Sequence, residues 1–145
     1  MAEAAVKRPV LRYHGGKWRA ARKIIAHFPA HRCYVEPFCG AASVLMQKAR
    51  SYAEVINDKD GEIVNVFAIL RDPRSKEALK ELLRHTPFAR DEFLAAYEPT
   101  SDPLEQARRT IIKSFMGFGS AAIHDRNPSG MRARASTWTA PTGFR

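Results

Sequence analysis

"VEPFCGAASVLM", residues 35–46, is the stretch on which the fold turns. An apolar residue and an acid run into a proline, one glycine and a series of small residues, and apolar residues follow. Cys33-Tyr34-Val35-Glu36 reads as a short buried strand that Pro37 closes. Ser43 can cap a helix running to about Arg50. In α/β folds the turn at the carboxyl end of a parallel strand is where ligands bind. A glycine there lets the backbone approach a ligand, and small residues leave room for it. Gly40, Ala41, Ala42 and Ser43 meet both conditions. Glu36 would repel a pyrophosphate but suits a cationic or zwitterionic ligand.

A nucleoside ligand also calls for an acid at the end of the next strand, roughly 20 residues on. Asp58 stands there, after Glu54-Val55-Ile56-Asn57. The full G-x-G-x-x-G pattern is absent, with Ala42 where a second glycine would fall, and no Gly-Lys-Ser/Thr occurs. These features favour a nucleoside without phosphates. The competing reading is a plain strand-to-helix turn that buries Glu36. An unpartnered buried carboxylate is costly, which weighs against it.

Working outward, "PVLRYHGGK" at 9–17 is an extended lead into a Gly-Gly turn. Trp18, Ala21, Ile25 and Phe28 then recur at helical spacing, with Arg19, Arg22 and Lys23 opposite, until Pro29 stops the helix. Glu54-Val55-Ile56 is a second strand. Ile63, Val66, Phe67 and Leu70 give a helix that Pro73 ends. Strand, loop, helix, strand, helix opens a doubly wound α/β sheet. Three amphipathic helices follow, over 75–84, 91–97 and 103–116, with no strand between them. In the last, Leu104, Ala107, Ile111, Ile112 and Phe115 share a face. From Gly117 on, glycine, small polar residues and arginine dominate, as in loop or hairpin.

The 145 residues suit one domain, or one and part of another, and 45% hydrophobic residues suffice for a core. No apolar run reaches the length of a membrane span, and no secretory signal is evident. Cys33 and Cys39 read as free thiols and are too few for a zinc site. Pro29 between His27 and His31 spoils their helical spacing, so no metal site is expected. The net charge of +9 is unevenly spread. Residues 1–35 carry eight Lys/Arg and one acid, and residues 106–145 carry seven and one. The middle of the chain is mildly acidic. Basic ends fit a polyanion partner as well as a merely high isoelectric point.

Three stretches together resemble the DNA adenine-N6 methyltransferases of the Dam type, the D12 class. They are Tyr13-His14-Gly15-Gly16-Lys17, Glu36-Pro37-Phe38-Cys39-Gly40-Ala41-Ala42-Ser43-Val44, and Asn57-Asp58 leading into an aliphatic helix. They occur in the family's order and spacing over residues 10–72, with a looser likeness to about residue 116. Tyr13 stands where the family usually has tryptophan, and Ala42 replaces its second glycine.

The resemblance implies a Rossmann-like fold that binds S-adenosylmethionine, here partial, with an inserted helical target-recognition region. It implies transfer of methyl to adenine N6 in double-stranded DNA, with no metal and no membrane. It also implies a bacterial or phage-encoded cytoplasmic enzyme of DNA methylation, restriction–modification included. Tyr13 and Lys17 would line the cofactor pocket, Glu36, Pro37, Phe38 and Gly40 would cradle the methionine part, and Asp58 would take the ribose hydroxyls. Residues 1–72 would then form the cofactor-binding part and 73–145 the incomplete start of the recognition domain. In that second part Lys113, Arg126, Asn127, Arg132 and Arg134 are the candidates for DNA contact.

Adenine N6 is a weak nucleophile, and methylating it requires flipping the base out and holding the amine with acceptors. The family uses Asp/Asn-Pro-Pro-Tyr/Phe for this. Asp72-Pro73, Asp102-Pro103 and Asn127-Pro128 each lack the second proline and the aromatic, so no catalytic residue is assigned. The expectation is an amino-terminal part of a longer enzyme. Two rival readings remain: a truncated non-catalytic remnant that binds only DNA or S-adenosylmethionine, and another nucleoside-binding α/β enzyme.

Overall fold

A computed structural model describes residues 6–119. Two parallel strands, β1 (Cys33–Glu36) and β2 (Ala53–Ile56), pair in register with Val35 opposite Val55 and Glu36 opposite Ile56. Among the described residues these are the only strands. The α/β order of the opening therefore holds, while the wider sheet is not represented. Val35 and Val55 face the same side and both stand about half exposed, so that face of the sheet is uncovered.

A short helix, α1 (Ala21–Ile25), precedes the strands, and four helices follow: α2 (Gly61–Arg71), α3 (Pro73–Arg84), α4 (Arg90–Ala95) and α5 (Pro103–Met116). Three share one starting device. The carboxylates of Asp60, Asp72 and Asp102 accept from backbone N–H groups in the first turns of α2, α3 and α5, and proline follows directly at the last two. Asp72 both ends α2 and caps α3. This is why Pro73, expected as a stop, also starts a helix.

The apolar faces read from the sequence do meet. Ile63, Val66 and Phe67 of α2 pack with Leu79 of α3, Ala107 and Ile111 of α5, Leu11, and the loop residues Cys39, Ala41 and Ala42. This core runs across residue 72, and α5 packs on α2. Phe93 and Ala96 of α4 add a second cluster with Ile112 and Met116.

One expected element differs. Residues 41–48 form turns, not an assigned α-helix, although Met46 and Lys48 donate to the carbonyls of Ala42 and Val44 as helical residues do. Ala42 explains the irregular start: its φ is +49°, left-handed, and a left-handed residue cannot lie inside a right-handed helix. No helix among the described residues is long and apolar enough to cross a membrane.

Candidate functional site

The first two motifs, some twenty residues apart, build one cleft. Tyr13 to Lys17 form one wall, and Glu36 with Phe38 to Ala41, Ser43 and Val44 form the other, around about 250 Å³. Tyr13 and Gly16 close the first wall as a tight turn, the Gly16 N–H donating to the Tyr13 carbonyl at 3.0 Å. Lys17 folds back so that its ammonium donates to the Gly15 carbonyl at 2.5 Å.

Gly40 is where the two walls touch. Its φ is +48°, and a Cβ there would sit 2.7 Å from the Tyr13 ring. The aromatic of the first motif therefore lies close against the glycine of the second. Only glycine meets both demands, the left-handed backbone and the close ring.

The strand ends hold the loop in place. The Asn57 N–H donates to the Glu36 carbonyl at 2.9 Å, and the Cys39 N–H donates to the Asn57 carbonyl at 2.8 Å. The Asn57 side-chain amide reaches the Pro37 carbonyl at 3.2 Å. Asp58 completes the clamp: its Oδ2 accepts from the Gly40 N–H at 2.8 Å, and its Oδ1 accepts from the Asp60 N–H at 3.0 Å. The third motif thus fixes the second through backbone bonds that sequence spacing alone does not reveal.

Glu36 gives the cleft its charge. Burial pushes its carboxyl above the ordinary carboxylate range. A Tyr34 hydrogen bond, the Leu45 backbone and the Lys48 charge oppose that shift. One oxygen, Oε2, is buried with no hydrogen-bond partner among the described residues. An orphaned buried carboxylate oxygen on a cleft wall is an acceptor prepared for a donor from outside the chain. Burial first, then Asp58 and Glu36, push the neighbouring Cys39 thiol up to about 11, so it stays a protonated, packed thiol. Burial, followed by Asp58 and Asp60, also raises the Tyr13 phenol. The cleft wall carries one acid, Glu36, and one lysine, Lys17.

Of the residues expected to hold the cofactor, Tyr13, Lys17, Glu36, Phe38 and Gly40 line this cleft. Phe38 stands 86% exposed at its edge. Pro37 and Asp58 lie outside the lining, Pro37 contributing its carbonyl and Asp58 its clamp. Lys113, expected on DNA, is instead buried, with its ammonium 2.7 Å from Glu62 Oε2. It projects from the packed face of α5 toward α2, and its charge is spent inside the fold. Arg126, Asn127, Arg132 and Arg134 lie outside the described residues.

Sequence reasoning placed Ser43 in the ligand loop but assigned neither it nor Val44 to the pocket, and it missed Ser114. The Ser114 hydroxyl accepts from the Arg12 N–H at 2.6 Å and donates to the Arg12 carbonyl at 3.2 Å, tying α5 to the residue before Tyr13. A bond spanning that much chain leaves no local signal. No group of three or more His, Cys, Asp or Glu among the described residues is placed to hold a metal ion.

A model of the D12 class N6 adenine-specific DNA methyltransferase family matches residues 13–121. A protein of Serratia marcescens named DNA adenine methylase is 28% identical over 110 residues, covering 72% of this chain. The chain spans 39% of that relative's length.

Proposed function

Since the chain belongs to the D12 class of N6 adenine-specific DNA methyltransferases, we propose that its cleft binds the methionine end of S-adenosylmethionine for methyl transfer to adenine in DNA. The observation that carries this reading is the Oε2 of Glu36, unpartnered among the described residues, on the wall of a cleft that also presents Lys17, the Tyr13 and Phe38 rings and the small residues of the loop. The methionine part of that cofactor brings an ammonium that a carboxylate can accept from and a sulfonium whose charge it can offset. About 250 Å³ lies just under the range of whole small-molecule sites, which suits one end of such a ligand rather than all of it.

The cofactor supplies an activated methyl group. This chain's residues bind and orient it. Glu36 takes the ammonium, Tyr13 and Phe38 cover the apolar parts, and Gly40 keeps the loop close. Asp58 sets the loop through Gly40, and its remaining lone pairs are available to ribose hydroxyls. Residues 1–72 act as the cofactor part, with the helices from 73 on leading toward target recognition. Arg126, Asn127, Arg132 and Arg134 remain candidates for the DNA backbone. No tetrapeptide suited to hold the adenine amine occurs in the 145 residues.

Photo-crosslinking with methyl-tritiated S-adenosylmethionine, followed by peptide mapping, tests the reading. Label should fall within 13–17 or 36–44, and unlabelled cofactor should suppress it. Label spread over the chain, or undiminished by competitor, would overturn the assignment. The same tritiated donor offered with adenine-containing duplex should leave no N6-methyladenine, because this chain lacks the acceptors for N6.

A further inference from the structure

The ion pairs Lys48–Glu54, Lys80–Glu77, Arg84–Glu81, Arg108–Glu92, Arg108–Glu105, Arg109–Glu105 and Lys113–Glu62, seen among the described residues, all draw their cations from Lys48 onward. Arg19, Arg22 and Lys23 stand out among the earlier cations. They follow one another at helical i, i+3 and i+4 positions and are all exposed, while Ala21 on the opposite side is fully buried.

Helix energetics do not explain the arrangement. α1 has five residues, no side-chain cap at Ala20 and no acid in its first turn. Arg22 and Lys23 gain from the helix's carboxyl end, but Arg19 sits at the other end and repels both at the spacings where like charges cost stability. The stripe is also rigidly placed. The Ala21 N–H donates to the Lys17 carbonyl at 2.7 Å. The Gln47 amide donates to the Trp18 carbonyl at 2.8 Å. Lys17 lines the cleft, so the stripe is braced within one helical turn of it.

We propose that the exposed Arg19–Arg22–Lys23 face, formed by α1 and the turn before it, is a docking surface for the DNA phosphate backbone beside the cofactor cleft. The inference rests on the reading of the chain as part of a DNA methyltransferase. It assigns sequence-independent DNA contact to an element outside the recognition region. Three long cations on one exposed face suit phosphate contact, which positions the duplex. Each phosphate neutralised releases counterions, which makes the contact measurable through salt.

The test compares two triple variants of the full chain: Arg19→Gln/Arg22→Gln/Lys23→Gln, and Arg71→Gln/Arg74→Gln/Lys76→Gln. Both remove the same charge, the second from exposed positions on α2 and α3. Binding of a short labelled duplex of mixed sequence is followed by anisotropy across salt concentrations. The slope of log K against log salt should fall by about 2 to 3 in the α1 variant and by less than about 1 in the control, at roughly 0.9 per phosphate contact. Arg19→Gln alone should lower it by about 0.9, and this serves if the triple variant melts early by circular dichroism. Equal slopes in the two triple variants, an unchanged slope in the α1 variant, or no duplex binding by the parent chain would each overturn the proposal. S-adenosylmethionine titrated into the same samples keeps the two readings apart. Loss of cofactor binding by the parent with the slope difference intact would remove the proposed cofactor site and leave this surface standing.

Discussion

Gly40 and Ala42 sit two positions apart in the same left-handed region of backbone, at φ +48° and +49°, with opposite consequences for substitution. Gly40→Ala should destabilise the chain by at least about 1–2 kcal/mol, because the left-handed strain adds to a Cβ pressed on the Tyr13 ring. Tyr13→Ala in that background should recover the steric share only. Ala42→Gly should go the other way. Relief of about 1–2 kcal/mol of strain is offset by about 0.8 kcal/mol for the lost buried methyl, leaving a small net gain. Urea midpoints would check both. Glu36 adds a pH signature. Its folded carboxyl titrates above the ordinary range, so its contribution to stability is full below that range and is lost as pH rises through the folded value. Glu36→Gln should therefore be more stable than the parent at neutral pH, with the difference vanishing in acid. That outcome in thermal melts across pH would mark a carboxylate kept for binding rather than for the fold. At this scale the sequence was informative about residue types: an acid, a glycine and an aromatic at the right spacing. It was silent on the ring lying on Gly40 and on the Asp58 carboxylate turned to the Gly40 N–H, because both depend on how two separate turns pack.

Secondary structure was legible wherever a local pattern decides it. The short apolar runs and breakers around Cys33–Glu36 and Ala53–Ile56, and the apolar faces of α2 and α5, all act within a few residues. The stretch after Ser43 was not, since a helix-favouring sequence there begins on a left-handed Ala42. Lys113 was misplaced for a different reason. Its position on α5 is amphipathic in sequence, but α2 brings Glu62 to it, with Thr110 donating to the same carboxylate oxygen at 3.1 Å. Lys113→Met should leave Glu62 without its cation and cost about 1–3 kcal/mol in urea unfolding, while leaving the salt dependence of DNA binding unchanged. Glu105 on the same helix gives a second check. Arg108 first, then Arg109, hold its carboxyl down from 4.5 to about 2. The stability this adds is present above pH 4.5 and lost as pH falls toward 2. Glu105→Gln should flatten that part of the acid-unfolding profile.

Among the described residues, one core joins the cleft's loop, the helix after Asp58 and α5. The reciprocal bonds between Ser114 and Arg12 tie α5 to the residue before Tyr13. The cleft wall carries Glu36 Oε2, a buried side-chain oxygen with no partner among the described residues. On this account Glu36 is the residue for which an external cation is missing. Calorimetric titration of S-adenosylmethionine into the full chain, parent against Glu36→Gln, tests that most directly. The parent should bind one equivalent, and Glu36→Gln should weaken binding at least tenfold, as expected for a lost charge-assisted hydrogen bond of about 1.5–3 kcal/mol. A parent that takes up no cofactor, or a Glu36→Gln chain that binds it as tightly, would contradict the account.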